Sequence, residues 1–216
     1  MPHTPPLAAL AAVDTLIALD PAFASIQDRA GPLPWRRRTP GFPGLLQAIV
    51  AQMISNAAAA AIWGRLRAIP GALDPATLLT LSDDTLRAAG LSRPKVVHAR
   101  ALASAFLDGT LSAERIAGLE DEAAVEAIAG VKGLGRWTAE VYLLFAVERL
   151  DIFPSGDIAL AASLADLKRL PARPSPRELR SIAAGWQPVR SLAARLLWHH
   201  WRYITGRPAM DDFPAT

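Results

Sequence analysis

The carboxylate of Asp157, which comes after a segment containing proline and glycine, is the group best suited to chemistry. It follows Pro154-Ser155-Gly156 and precedes the apolar run Ile158-Ala159-Leu160, a pattern typical of a helix N-cap. A carboxylate held there can stabilise a developing positive charge or activate a water molecule, and the helix amides stabilise its own negative charge. A capping role alone also accounts for an aspartate at this position, and the two roles are compatible.

Upstream of this aspartate, a glycine-containing turn joins two predicted helices. The turn reads Val131-Lys132-Gly133-Leu134-Gly135, and the second helix is predicted to begin near Arg136. Glycines allow the backbone amides at such a helix start to approach an anion such as a phosphate, and Lys132 and Arg136 add positive charge beside them. An ordinary turn that needs glycine only for the bend is the alternative for these residues alone.

The elements around these two features are predicted to be helical. No segment alternates with period two, so the sequence indicates an all-α fold. Proline-rich residues 20–43 predict an extended loop. The predicted helices cover residues 7–19, 44–68, 82–89, 94–107, 112–118, 121–129 and 157–170, with others starting at Arg136, Ser175 and Gln187.

The longest predicted helix, residues 44–68, lies largely within the uncharged segment 39–64. A membrane span is rejected because Gln47, Gln52, Ser55 and Asn56 interrupt the apolar run. The spacing of three and four between residues 52, 55 and 56 predicts one shared helical face. The helix is therefore expected to be buried on most sides, with a polar stripe that opens on a cleft.

Composition narrows the functional classes. The chain has 216 residues and no cysteine, which excludes disulfides, thiolate zinc sites and cysteine-ligated iron–sulfur clusters. Residues 161–207 carry nine Lys or Arg and two acids, whereas residues 70–130 carry nine acids and five basic residues. A basic half suits a phosphate backbone, although a solvated helical face is the common alternative. The N-terminus lacks the pattern of a signal peptide, so we expect a cytoplasmic protein associated with the nucleoid.

The central motif resembles the helix-hairpin-helix DNA glycosylase superfamily (HhH-GPD). The likeness rests on Arg136-Trp137-Thr138-Ala139, an apolar helix, Asp151-Ile152-Phe153-Pro154 and then Asp157. In bifunctional members a lysine stands at the position of Trp137 and attacks the sugar. The tryptophan here makes the chain similar to the DNA-3-methyladenine glycosylase II branch, which uses water and does not cut the strand.

Two further segments extend the resemblance over residues 40–204. Residues 44–55, with Gln52-Met53-Ile54-Ser55, are similar to the family's helix and wedge loop. Trp186-x-Pro188-x-Arg190-Ser191-x-Ala193, followed by Trp198, is similar to the family's closing helix. Larger bacterial members begin with an antiparallel β domain, and we expect this chain to be a compact form without it.

The resemblance implies two packed helical lobes with a cleft between them, together forming a single catalytic unit over residues 1–216. Lobe one is expected over about 45–150, including the helix-hairpin-helix at 121–149. Lobe two is expected over about 1–44 together with 151–216.

The implied activity is that of a monofunctional DNA glycosylase of base excision repair. Such an enzyme flips out alkylated purines, of the 3-methyladenine and 7-methylguanine type, and hydrolyses their N-glycosidic bonds. Asp157 would stabilise the oxocarbenium-like transition state, and Trp137 and Trp198 would form aromatic walls that attract a cationic base. Each tryptophan could instead fill the core. Val141 stands where bacterial relatives often have a tyrosine, which predicts a wider pocket.

The resemblance also implies the contacts with DNA. Met53 would be the wedge that fills the gap left by the flipped base; the alternative is a methionine buried on an apolar helix. The other implied DNA-binding residues are Gln52, Ser55, Lys132, Gly133, Gly135, Arg136 and Thr138.

The remaining expectations concern cofactors and partners. No cofactor is required and no iron–sulfur cluster is expected, but backbone carbonyls of Ala129, Val131 and Leu134 could hold a monovalent cation, as in hairpins of the family. The expected partner is double-stranded DNA containing damaged bases, with no membrane and a monomeric state. Two alternatives stay open: a glycosylase for deaminated or neutral damaged bases, and a non-catalytic helix-hairpin-helix module that only binds DNA.

Overall fold

The computed structural model describes residues 4–207, and all regular structure within that range is helical. The prediction of an all-α fold is confirmed. The helices are α1 (Leu7–Leu19), α2 (Ala24–Ala30), α3 (Gly41–Ala51), α4 (Asn56–Arg67), α5 (Pro75–Thr80), α6 (Asp83–Ala88), α7 (Arg93–Leu107), α8 (Ala113–Gly118), α9 (Asp121–Ala129), α10 (Arg136–Phe145), α11 (Ile158–Leu167), α12 (Pro176–Ala184) and α13 (Arg190–Thr205), with a 3₁₀ turn at Pro21–Phe23.

Local capping sets many helix ends where the sequence indicates them. Ser82, Ser92 and Ser112 accept backbone amides at the starts of α6, α7 and α8. The start of α12 is a complete capping box, in which the side chains of Ser175 and Glu178 each bond to the other's backbone amide. Each cap satisfies an amide that the first helical turn leaves without an intrahelical partner.

The described chain divides into two compact units. Unit 1 contains residues 4–37 and 148–207. Within it, α13 packs against α11, α2 and α1. The indole of Trp186 lies edge-on to Phe23 and Phe153, with ring centroids 5.2 and 5.5 Å away, and its Nε1 donates to Asp20 Oδ2 at 2.9 Å. This aromatic cluster fixes the segment that precedes α13.

Unit 2 contains residues 38–147. Here α7 packs against α3 and α5, and α10 packs against α9 and α3. Tyr142 is buried, and its hydroxyl accepts the amide of Gly41 at 2.7 Å. Tyr142 therefore caps the start of α3, while its neighbour Val141 is also buried.

The prediction of one helix over residues 44–68 is wrong. Helix α3 ends at Ala51 and α4 begins at Asn56, so residues 52–55 form a turn. Ser55 is the N-cap of α4 and accepts the amide of Ala58 at 3.3 Å. Gln52, Ser55 and Asn56 consequently do not share one helical face.

Other boundaries also differ from the sequence patterns. Residues 20–43 are not wholly extended, because they contain α2 and the 3₁₀ turn. Helix α13 begins at Arg190, three residues after the predicted start. None of the helices in the described part is long and apolar enough to cross a membrane.

Candidate functional site

Asp157 lies at the N-terminus of α11 in unit 1. Its Oδ1 accepts the amide of Leu160 at 3.0 Å, which makes it the N-cap, and only 8% of the residue is exposed. A tight turn precedes it: the amide of Ser155 donates to Phe153 O at 2.8 Å, and the amide of Asp157 donates to Pro154 O at 2.9 Å. The backbone and the side chain are therefore both fixed, and the carboxylate faces the positive end of a helix dipole.

The loop that leads to this aspartate is clamped by the start of α13. The guanidinium of Arg190 binds Asp151 with two bonds of 2.8 and 2.9 Å. The buried Ser191 hydroxyl accepts the amide of Ile152 at 2.9 Å and donates to its carbonyl at 3.0 Å. From the sequence, Arg190-Ser191 was evident only as part of a motif, and this clamp was missed. The structure shows what the motif does: it sets the position of the loop from which Asp157 emerges.

The hairpin in unit 2 is the turn between α9 and α10. Gly133 has a φ of +94°, and a Cβ added there would lie 2.2 Å from Cγ of His98 on α7. Glycine is thus required at position 133 both by the backbone conformation and by packing. Gly135, by contrast, is exposed, a Cβ added to it would meet no atom within 4 Å, and it begins α10 without a side-chain cap. The start of α10 at Gly135 is open to close approach.

The basic residues at the hairpin differ sharply in their surroundings. Arg136 donates to Glu122 at 2.5 and 2.7 Å and to Glu140 at 2.9 Å. The hydrogen bond to Glu122 is the main reason that the pKa of Arg136 is raised. Its charge is therefore neutralised by two carboxylates, and its guanidinium ties α9 to α10.

Lys132 and Thr138 complete the predicted hairpin contacts. Lys132 is exposed and forms no ion pair with any residue in the range 4–207. Thr138 is buried in the first turn of α10. Lys132 thus differs from Arg136 in that its charge is not paired with a carboxylate of the described residues.

The predicted wedge segment is the turn at residues 52–55 of unit 2. Met53 is 100% exposed and has a φ of +58°, a conformation that non-glycine residues seldom adopt. The alternative of a methionine buried on an apolar helix is therefore wrong. Gln52 Nε2 donates to the carbonyl of Gly133 at 2.9 Å, so the structure brings the wedge turn and the hairpin together.

The two predicted aromatic walls lie in different units. Trp137 is in the first turn of α10 in unit 2, and Trp198 is in α13 of unit 1. Both are half-buried. Neither is a fully buried core residue, so each keeps part of its indole surface accessible.

The carbonyls predicted to hold a monovalent cation lie at the end of α9 and in the hairpin. Val131 O accepts the amide of Leu134 at 3.0 Å, which leaves it a second lone pair. Backbone carbonyls are suitable donors for a hard cation, and the monovalent-cation site stays a prediction. Within residues 4–207 there is no group of His, Asp and Glu side chains arranged to hold a metal.

Two solved structures resemble this chain closely. A DNA-3-methyladenine glycosidase from Bacillus halodurans superimposes with a TM-score of 0.79 at 30% identity, covering 87% of each chain. A 3-methyladenine DNA glycosylase of Schizosaccharomyces pombe, solved in complex with abasic DNA, gives a TM-score of 0.76 at 27% identity and covers 89% of this chain and 95% of that one.

Sequence comparisons also find relatives that are named as glycosylases of alkylated bases. DNA-3-methyladenine glycosylase 1 of Schizosaccharomyces pombe is 29% identical over 71% of this chain and 69% of its own length. The alkylbase DNA glycosidase-like protein mag2 of the same organism is 28% identical over 85% and 89%. The profile of the family described as HhH-GPD superfamily base excision DNA repair protein matches residues 46–188. This span includes the wedge turn, the hairpin and Asp157, and the chain belongs to the HhH-GPD superfamily of base excision DNA repair proteins.

Proposed function

We propose that the protein is a monofunctional DNA glycosylase of base excision repair that hydrolyses the N-glycosidic bond of alkylated purines in DNA. The names of its relatives support this reaction and support DNA as the partner. The observation that carries the mechanism is the carboxylate of Asp157, held by its own helix cap and by a clamped loop. We place its action in the cytoplasm, on chromosomal DNA.

Asp157 acts as the catalytic carboxylate. Breaking the bond between base and sugar leaves positive charge on the deoxyribose, and a fixed negative charge stabilises that transition state. The carboxylate needs little reorganisation during the reaction, because Leu160 and the turn from Phe153 to Asp157 hold it in place. It also orients or deprotonates the attacking water.

Water is the nucleophile because Trp137 occupies the position of the attacking lysine in bifunctional relatives. No covalent bond to the enzyme forms, so strand cleavage is not expected. The indoles of Trp137 and Trp198 instead attract the positively charged ring of a 3-methyladenine or 7-methylguanine. Their half-buried state supports this role, since a stacking surface has to be accessible.

Met53 is the wedge that enters the DNA when the damaged nucleotide turns out of the stack. Its complete exposure is hard to explain by folding alone, because an apolar side chain gains nothing from contact with water. Its neighbour Gln52 serves the turn rather than the DNA, since its amide is bonded to Gly133. Ser55 likewise caps α4.

The hairpin binds the phosphate backbone through the start of α10 and through Lys132. Gly135 permits close approach there, and the helix dipole favours an anion. Arg136 contributes to the hairpin's structure rather than to its charge, and Thr138 is buried. A monovalent cation on the carbonyls of Ala129, Val131 and Leu134 is also part of the proposal.

The decisive experiment is Asp157→Asn, measured as release of alkylated bases from methylated duplex DNA. Asparagine caps a helix about as well as aspartate, so the variant keeps the fold and loses the charge. We expect the rate to fall by roughly 100-fold or more, with DNA affinity largely unchanged.

Asp74→Asn is the matched control, because Asp74 is also an N-cap aspartate and accepts the amide of Thr77 at 2.8 Å. This change should leave the rate as it is. Normal turnover by Asp157→Asn would refute the mechanism. DNA binding without base release by the wild-type protein would favour a non-catalytic binding module.

The lesion range is tested with duplexes that each carry one damaged base, read by cleavage at the abasic product. We expect release of 3-methyladenine and 7-methylguanine. Preferential release of a deaminated or neutral base would instead support the alternative glycosylase, in keeping with the valine at position 141.

A further inference from the structure

Lys95 on α7 is buried, with 8% exposure, and has no carboxylate partner among residues 4–207. Its Nζ donates to the carbonyl of Val50 at 2.8 Å. Burial lowers the pKa of the Lys95 ammonium, as expected for a cation taken out of water. A buried cation without a counter-ion is uncommon and calls for a physical reason.

The partner of this lysine explains its place. Val50 is the penultimate residue of α3, so its carbonyl is among the last four, which have no intrahelical donor. An ammonium at that point also interacts favourably with the negative end of the helix dipole. Lys95 therefore caps the C-terminus of α3.

Directly beyond this bond lies the wedge turn. Met53 follows Val50 by three residues and keeps a φ of +58°. A non-glycine residue in this region of backbone space is retained only when its surroundings hold it there. Between Val50 and Met53, Gln52 Nε2 donates to Gly133 O at 2.9 Å. The strained residue is thus preceded by two tertiary hydrogen bonds, one to α7 and one to the hairpin.

Helix α7 supports both partners. Lys95 and His98 are three residues apart and lie on one side of α7. Lys95 bonds to α3, while the His98 ring packs against Gly133 so closely that no side chain fits there. The same helix face therefore positions the wedge turn and the hairpin.

We propose that Lys95 is a positioning residue that, together with Gln52, fixes the Met53 wedge in register with the phosphate-binding hairpin before DNA is bound. The inference rests on the proposed function, since it assumes that the enzyme flips a base out of duplex DNA. Its consequence is specific. Loss of Lys95 should impair steps that need the wedge and spare those that do not.

The test compares Lys95→Met with Arg65→Met. Arg65 also places a cation on a helix end, because its Nε donates at 2.8 Å to the carbonyl of Ala89, the C-cap of α6. Each variant is assayed for base release from methylated duplex and from methylated single strands. Flipping is followed separately by the fluorescence of 2-aminopurine in an unmethylated duplex.

Lys95→Met should lower the ratio of duplex to single-strand rates by about tenfold, the effect of losing one charge-assisted hydrogen bond. Arg65→Met should leave the ratio unchanged. In a Met53→Ala background, Lys95→Met should cause no further change, because the wedge through which it acts is gone. Lys95→Arg, which keeps the cation, should restore most of the ratio.

Equal losses on duplex and single strands would overturn the proposal and make Lys95 a purely structural cap. Independent, multiplying effects of Lys95→Met and Met53→Ala would also overturn it. If Lys95→Met does not fold, Lys95→Arg decides through the same ratio. The 2-aminopurine signal distinguishes this inference from the proposed function, because flipping is measured without any base release.

Discussion

Ser191→Ala tests whether the clamp on the loop before Asp157 is needed for catalysis. The Ser191 hydroxyl bonds to both the amide and the carbonyl of Ile152 at 2.9 and 3.0 Å, and both residues are buried. Alanine fits the same space but leaves two buried backbone groups without partners. Each such group costs about 1–3 kcal/mol, so after partial relaxation we expect a loss of about 2–4 kcal/mol in the free energy of unfolding.

The same change should reduce the rate of reaction in the folded protein. Ile152 precedes Asp157 by five residues, and a loop released at Ile152 lets the carboxylate move relative to the sugar. A misplacement of about 1 Å lowers reaction rates by roughly 100-fold. We therefore expect the single-turnover rate of base release to fall by about 10- to 100-fold, with the affinity for DNA unchanged.

Ser163→Ala is the control. Ser163 is also a buried serine of unit 1, and its hydroxyl donates to Leu197 O at 2.7 Å. It should lower the free energy of unfolding by about 1 kcal/mol and leave the rate unchanged. Stability is measured by urea unfolding, and rates at a temperature where circular dichroism shows both variants folded. A destabilised Ser191→Ala with a normal rate, or an equal fall in rate for Ser163→Ala, would refute the role of the clamp.

Two further predictions concern charge. Lys132→Ala should weaken DNA binding uniformly across sequences and reduce the slope of log K against log salt by about 0.9. Arg136→Ala should lower the melting temperature and change the slope less, because the charge of Arg136 is already paired with carboxylates. Equal slopes for Lys132→Ala and the wild type would contradict a phosphate contact by Lys132. Burial acts to raise the pKa of Asp20, but bonds from Lys168 and Trp186 outweigh it and leave the pKa below its usual value. The stability that the ionised Asp20 contributes is present above its unfolded-state pKa and is lost as pH falls through its folded-state pKa. Between pH 6 and pH 3, the free energy of unfolding measured in urea should therefore fall more for the wild type than for Asp20→Asn. Equal falls would contradict a stabilising role of the Asp20 carboxylate.

The sequence predicted best those elements whose ends carry local signals. Helix α9 begins at the acidic Asp121 and ends before Gly130, and α10 begins at Arg136 directly after Gly135, as predicted; the capping box at Ser175 is also present. Short-range chemistry decides these ends, because a serine or glycine acts on amides only a few residues away. The family resemblance drawn from the segment between Arg136 and Asp157 is confirmed by the comparisons.

The break between α3 and α4 shows where such reasoning fails. Residues 52–55 contain neither glycine nor proline, so helical periodicity continues across them. What ends α3 is tertiary: the Lys95 bond to Val50 and the Gln52 bond to Gly133 join residues that lie 45 and 81 positions apart. Ser55 was the one local signal, since it is a favourable N-cap for the helix that follows.

Counting basic residues in the sequence also did not show which charges of the hairpin are paired. Lys132 and Arg136 look equivalent in the sequence, but the structure pairs Arg136 with Glu122 and Glu140 and gives Lys132 no ion-pair partner among residues 4–207. Glu122 is fourteen residues from Arg136, beyond the reach of helical spacing rules. In the proposed function, attraction of the hairpin for phosphate therefore depends on Lys132 and on the backbone amides at the start of α10.

The two groups given the central roles, Asp157 and Met53, share one physical arrangement. Each lies beside a helix end, where backbone groups lack intrahelical partners, and each is fixed by hydrogen bonds from a second helix. Ser191 of α13 holds the loop before Asp157, and Lys95 of α7 holds the end of α3 before Met53. A helix end requires partners whatever its function, so the interactions that complete the fold also set the geometry of these two residues. The family resemblance locates both residues in the sequence, while their geometry depends on bonds that only the folded chain supplies.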